Sequence, residues 1–311
     1  MSDHKEAKSF SRFGYIMVAA GAAIGLGNIW KFPYLAYGDG GGAFVLIYIV
    51  ICILLGHPIV QAEQAVGRRG RASAAASYGV IHPKWRFVGV INIVCTFLID
   101  IYYLVVSGWV LKYFVTYVVS GDFGKDKQAY FDNYISSTTQ PLIYSLIIIA
   151  IIVFFLFFGI TNIVEKASKV IMPMLAVLLL VCGIYALIVV PGAVDGLKYY
   201  FVPDFSKFGM QQFADACMQV CFSVGIGWGI FTTLGASMNK DANLKADAWW
   251  VDICDTFIAL LAGFVIIPTV VGTGSEMSSG PSLVFVAMTQ IFETLPGGRI
   301  IGIFFFASLI F

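Results

Sequence analysis

Long apolar stretches separated by short charged segments make up most of this chain. Stretches free of Asp, Glu, Lys and Arg cover residues 13–30, 40–62, 133–164, 170–194, 216–239 and 256–275, and a further one, 87–111, is broken only by Asp100. A helix that crosses a bilayer needs about 20 mostly apolar residues, so these stretches predict seven spans. An eighth apolar segment, 300–311, follows Arg299 and is too short for about 30 Å of hydrocarbon. The sequence therefore reads as one that ends inside its eighth helix.

Composition agrees with a membrane protein. The 311 residues are 59% hydrophobic and 12% charged, against about 45–50% and about 25% in soluble domains. A net charge of +1 gives no electrostatic footprint for nucleic acid, and none is expected as a partner. The six cysteines, Cys52, Cys95, Cys182, Cys217, Cys221 and Cys254, sit in apolar runs without ligand spacing, as small buried hydrophobes do. No HExxH, GxSxG or paired His/acid constellation is present, so an enzyme is not expected.

Basic residues orient the spans, because cytoplasmic loops collect Lys and Arg. With the N-terminus inside, the inner segments hold Lys5, Lys8, Arg12, then Arg68, Arg69, Arg71, Lys84, Arg86, then Lys166, Lys169, then Lys240 and Lys245. Outside remain Lys125, Lys127, Lys198, Lys207 and Arg299, with Lys31 and Lys112 at outer helix ends. The expectation is a multi-pass protein of the plasma (inner) membrane with a cytoplasmic N-terminus. The run 13–30 lacks the small-residue cleavage site of a signal peptide and is followed closely by a second span.

Two spans are poor helices. The first contains Gly21, Gly25 and Gly27; the sixth reads Phe222-Ser223-Val224-Gly225-Ile226-Gly227-Trp228-Gly229. Each interior glycine costs about 1 kcal/mol against alanine, which favours local unwinding. Unwound backbone within a membrane must line a cavity or be buried in protein. Two such interruptions in corresponding positions of two halves point to a transporter site at the midplane. Gly21-x-x-x-Gly25 also fits a helix-packing face, but Asn28 and Ser223 beside the two interruptions add hard oxygen ligands that suit sodium.

At this point the residues resemble the neurotransmitter:sodium symporter family. The likeness is carried by Ala-Ile-Gly-Leu-Gly-Asn at 23–28 with Lys31-Phe32-Pro33, Gly40-Gly41-Gly42-Ala43-Phe44, Glu63 with Gly67-Arg68, Tyr102-Tyr103 with Trp109, Glu165-Lys166 with Met172-Pro173, and Gln219 to Gly229. The resemblance implies an all-α membrane fold of two inverted five-helix repeats with broken first and sixth helices. Residues 1–12 would be a cytoplasmic segment, 13–194 the first repeat with helices 1–5, and 195–311 an incomplete second repeat with helices 6–7, an extracellular loop and the start of helix 8. The implied function is sodium-coupled symport of an amino acid by alternating access. The alternatives are an amino-acid-binding sensor and a channel-like relative.

The same resemblance assigns residues. The first sodium site would use the Ala23 carbonyl, Asn28, Ser223 and Asp255, and the second its first-helix half, the carbonyls of Gly21 and Ile24. Substrate would meet Ala23, Gly25, Leu26, Gly27, Ile99, Tyr103, Phe222, Ser223, Gly225 and Trp228, with Lys31, Tyr103 and Phe222 as external gate. Many animal members have Asn where Asp255 stands and use chloride nearby; a fixed carboxylate makes chloride unnecessary. Gly225, where a leucine-transporting member has Ser, leaves room for a large hydrophobic or aromatic substrate unless Trp228 fills it. Lys31 replaces the family's Arg and loses the bidentate fork. The family's inner-gate Arg and Trp are not evident, leaving Phe10 and a nearby basic residue as substitutes. Asp100 has no place in the family pattern and is either functional or locally paired. His57-Pro58 and His82-Pro83 read as helix-end features near the inner surface.

Overall fold

The computed structural model describes residues 10–158, 161–239, 241–274 and 282–310; residues 1–9 of the N-terminal segment, Lys240 and Ser275 lie outside them. Helices dominate the described residues, and the one β-type contact among them is an isolated antiparallel bridge between Gly41 and Pro203. The order is α1 Arg12–Ala23, a π-turn Gly27–Lys31 leading into α2 Phe32–Gly38, α3 Gly42–Ile51, α4 His57–Gly70, α5 Ala74–Ile81, α6 Arg86–Val119, α7 Lys127–Ser136, α8 Thr139–Phe158, α9 Thr161–Val189, α10 Ala193–Phe201, α11 Met210–Val224, α12 Ile230–Ala236, α13 Leu244–Thr273, α14 Thr289–Thr294 and α15 Gly298–Ile310.

Four helical stretches are long and apolar enough to cross a membrane unaided: Gly42–Gly70, Pro83–Val119, Ile163–Val189 and Leu244–Gly272. Two more form bent pairs: Arg12–Ala23 with Gly27–Gly38 turns by 59°, and Lys127–Ser136 with Thr139–Phe155 by 79°. The apolar run 133–164 is thus not one straight span. It starts in α7, turns a corner at Ser137, and its last residues belong to α9. Helix α9 begins before the charge-free run at 170, because Glu165 and Lys169 are satisfied at its first turns: Lys169 Nζ lies 2.7 Å from Glu165 Oε1, to which Ser11 Oγ donates at 2.6 Å. The sixth apolar run falls on α11 and α12, separated at 225–229.

The interior is built on α1 and α13. Ala19, Ala20, Ile29 and Phe32 from the first segment, and Ala259, Ala262, Val265 and Ile266 from α13, are fully buried. Helices α6, α8 and α9 instead present Phe97, Phe157 and Ile188 outward, the face expected of helices bathed in lipid rather than water. Two small residues bring α4 and α12 together: Gly67 lies on the backbone of Thr232, and Gly235 on the backbone of Gln64, with no room for a Cβ at either.

Candidate functional site

The first segment loses its helix at Ile24, which takes extended dihedrals (φ −68°, ψ 101°). The Gly25 N–H, which in a continued helix would serve Gly21, donates instead to Asn28 Oδ1 at 3.1 Å. Asn28 therefore replaces a helical hydrogen bond with a side-chain one, which leaves the Gly21 carbonyl without that donor. On the second interrupted segment, Gly225, Gly227 and Gly229 all have positive φ (72°, 81° and 71°), a region costly for other L-residues. Glycine at these alternate positions is what unwinds the chain there.

Three polar side chains meet between the interruptions. Asn28 Nδ2 donates to Asp255 Oδ1 at 2.7 Å and to Ser223 Oγ at 2.8 Å. Ser223 Oγ donates to Asp255 Oδ2 at 2.9 Å. Asn28 and Asp255 are fully buried and Ser223 nearly so. An ionised carboxylate in such a place costs several kcal/mol unless donors or a cation compensate it; here two donors offset part of that cost. Ala23 ends α1 one residue before the break, and its carbonyl oxygen faces the Gly25 position.

Aromatic rings cover the same region. Tyr103 and Phe222 have centroids 6.4 Å apart, Phe222 and Trp228 5.4 Å, and Tyr103 and Trp228 6.4 Å. The Phe222 ring rests directly on Gly27, and the Tyr103 hydroxyl faces Gly25 and the Gly27 backbone. Lys31 Nζ stands 4.2 Å over the Phe222 ring, a cation–π distance. Leu26 is buried beside them, while Ile99 is half-buried one turn before Tyr103 on α6. A Cβ at Gly225 would sit in ordinary van der Waals contact with the Trp228 ring at 3.5 Å, so Trp228 borders the space the missing side chain leaves.

Several residues that hold the site were not assigned from sequence. Glu63 Oε1 accepts from Gly227 N–H at 2.8 Å and pins the unwound strand. Gln219 Nε2 donates to the Gly27 carbonyl at 3.2 Å, and Tyr48 OH reaches Ser223 Oγ at 3.3 Å. Thr96 Oγ1 donates to the Trp228 carbonyl. The signals available in the sequence were that Glu63 and Gln219 both stand in motifs carrying the family resemblance and that Gln219 is a polar residue inside an apolar run. Asp100 is exposed in an open cavity of about 560 Å³ with Thr96 and Trp228. His57 is not a helix-end residue near a surface. It is buried within the continuous stretch Gly42–Gly70, where its Nδ1 lies 2.7 Å from Asp252 Oδ2. At the far end of α1, Arg12 Nε pairs with the buried Asp247 at 2.8 Å, and Phe10 lines the adjoining cavity.

The sequence profile described as "Sodium:neurotransmitter symporter family" matches residues 7–121 and 131–311. The chain belongs to this family. Symporter-family relatives include an "uncharacterized sodium-dependent transporter" of Haemophilus influenzae, 34% identical over 96% of this chain and 69% of the relative. A Bacillus subtilis protein of the same description is 33% identical over 100% of this chain and 70% of its own. The mouse sodium- and chloride-dependent creatine transporter 1 is 27% identical, and this chain spans 55% of it. Among solved structures, MhsT in complex with L-phenylalanine superposes with a TM-score of 0.91 at 35% identity, over 98% of this symporter chain and 70% of that one. The protein is thus a multi-pass, mostly helical member of a family of sodium-dependent transporters, not of enzymes.

Proposed function

We propose that this chain carries the sodium and substrate sites of a sodium-coupled amino-acid symporter of the plasma membrane, with its N-terminus in the cytoplasm. The observation that carries the reading is the buried Asn28–Ser223–Asp255 cluster at the meeting of two helix interruptions. Sodium is a co-substrate here. A sodium ion entering between Asp255 and Ser223, with the Ala23 carbonyl and Asn28 amide oxygen turned to it, takes over the charge compensation that two hydrogen-bond donors supply. Gly21 and Ile24 carbonyls, freed by the interruption of α1, contribute to a second sodium site. The fixed carboxylate makes chloride unnecessary.

The substrate carboxylate would sit by the Leu26 and Gly27 backbone and the Tyr103 hydroxyl, next to the first sodium. Phe222, Trp228 and Tyr103 would surround its side chain, with Gly25, Ile99 and Gly225 completing the wall and Lys31 over Phe222 closing the outer side. That aromatic lining supports a large hydrophobic or aromatic amino acid, as does the likeness to a structure that holds L-phenylalanine. Residues 13–194 would form the first of two inverted repeats and 195–311 the beginning of the second, with alternating access hinging at the two helix interruptions.

The test is binding and uptake of labelled tryptophan by the full-length protein in liposomes, with leucine and glycine as competitors, in sodium and in potassium without chloride. Sodium-dependent, saturable uptake supports the proposal. Binding without uptake makes the protein a sensor, and unsaturable flux makes it channel-like.

A further inference from the structure

The interface between α3–α4 and α13 holds a second buried polar group that the sodium and substrate sites do not use. Two contacts follow one another along it, Cys52 Sγ with Thr256 Oγ1 at 3.4 Å and His57 with Asp252, while Tyr48 of α3 reaches across to Ser223 of α11. His57 and Asp252 are 6% and 3% exposed, and Asp252 Oδ1 has no hydrogen-bond partner. The Trp249 ring is stacked on the imidazole at 3.9 Å and 20°, an arrangement that accommodates an imidazolium through the indole face. Asp252 precedes Asp255 by three residues on α13, which puts both carboxylates on one face within about 5 Å of helix rise.

A buried carboxylate–imidazole pair is neutral when it holds one extra proton and carries one negative charge when it does not. Desolvation favours the neutral state, and a sodium ion beside Asp255 favours the charged one. Among the described residues, the charged and titratable groups acting on the pair are Lys245 and Asp255 from α13 and Cys52 from the turn facing it. Arg12 of α1 and Asp247 are already paired with each other at the start of α13. Of these, Asp255 is the group whose local charge a bound cation would change.

We propose that His57 and Asp252 form a proton-binding site whose proton leaves to water when sodium enters beside Asp255. One positive charge comes in as one goes out, so the buried cluster keeps its net charge. This inference rests on the sodium site proposed above and adds a second ligand, the proton, at residues outside that site.

The experiment is sodium binding to the full-length protein across pH 6 to 8, with proton release followed by an indicator dye in weak buffer. The expected result is a sodium Kd that falls by up to about tenfold per pH unit, with up to one proton released per sodium. Asp252→Asn should abolish the release and flatten the pH dependence while sodium still binds. Sodium binding without proton release, or equal release from Asp252→Asn, overturns the proposal. If that variant does not fold, infrared difference spectra of the wild-type protein labelled in its histidine rings decide, since sodium must then alter the ring bands. Sodium that fails to bind at any pH overturns the symport reading as well.

Discussion

Asn28 and Asp255, separated by 227 residues in the chain, are joined by a 2.7 Å hydrogen bond in the fully buried centre of the molecule. The amide belongs to the interruption of the first segment and the carboxylate to the continuous helix α13, so a ligand placed here touches both elements at once. Asp255→Asn removes the charge and keeps the shape. Sodium affinity should fall on the order of tenfold or more, and added chloride should restore part of it. Substituting gluconate for chloride should leave wild-type uptake unchanged. Binding of labelled sodium with and without chloride checks the first expectation, and uptake of labelled amino acid in the two salts checks the second.

The seat of Phe222 on Gly27 gives a second test. A Cβ at position 27 would meet the ring at 2.6 Å, and it is the side chain, not the backbone, that must give way. Gly27→Ala should therefore leave the protein folded but cost about tenfold in substrate affinity. Adding Phe222→Leu should make the combined loss smaller than the sum of the two. A competition assay on single and double variants measures the coupling.

Arg12 and Asp247 tie the start of α1 to the start of α13. Neutralising either leaves the buried Asp247 or the exposed Arg12 without its partner, and the first helix loses a tether. Arg12→Gln should raise cysteine labelling at positions lining the cavity by Phe10 and Met238. The exchange Arg12→Asp with Asp247→Arg should recover the wild-type labelling rate if the contact is electrostatic.

Asp39, just beyond α2, has its pKa raised to about 6 by burial, with the nearby charge of Asp215 adding to it; one of its oxygens is buried without a partner. In the unfolded chain an aspartate titrates near 3.9. Because the folded value is the higher one, the ionised group costs stability above pH 6, and that cost disappears as pH falls toward 4. The melting temperature should accordingly gain from mild acid through this residue. Asp39→Asn should raise the melting temperature at pH 7 and weaken that pH dependence, as thermal unfolding in detergent will report.

Much of the site was legible because glycine spacing and a polar residue next to each break are local signals. Asn28, Ser223 and Gly225 to Gly229 could be placed on that basis, and Asp255 through the family pattern. What spacing does not reveal is who meets whom across 150 or more residues. Glu63 reaching Gly227 and His57 reaching Asp252 depend on how α4 packs on α12 and α13, and neither pairing leaves a mark in its own segment. His57-Pro58 looked terminal because proline favours the first turn of a helix. In the structure that proline follows a π-turn at Cys52–Gly56, whose widened loop lets the helix run on through it. The corner between α7 and α8 was similarly hidden, since an uninterrupted apolar run says nothing of direction.

The contact of α4 with α12 at Gly67 and Gly235 is main chain against main chain, without side chains to act as bearings between them. Such a seam behaves as a weld: it has no rotamers to exchange and no ridge to slip past. Any bend between α11 and the α4–α12 pair would fall in the glycine strand at 225–229. A disulfide stapled across this seam would be mechanically silent, whereas one spanning residues 225–229 would jam the machine.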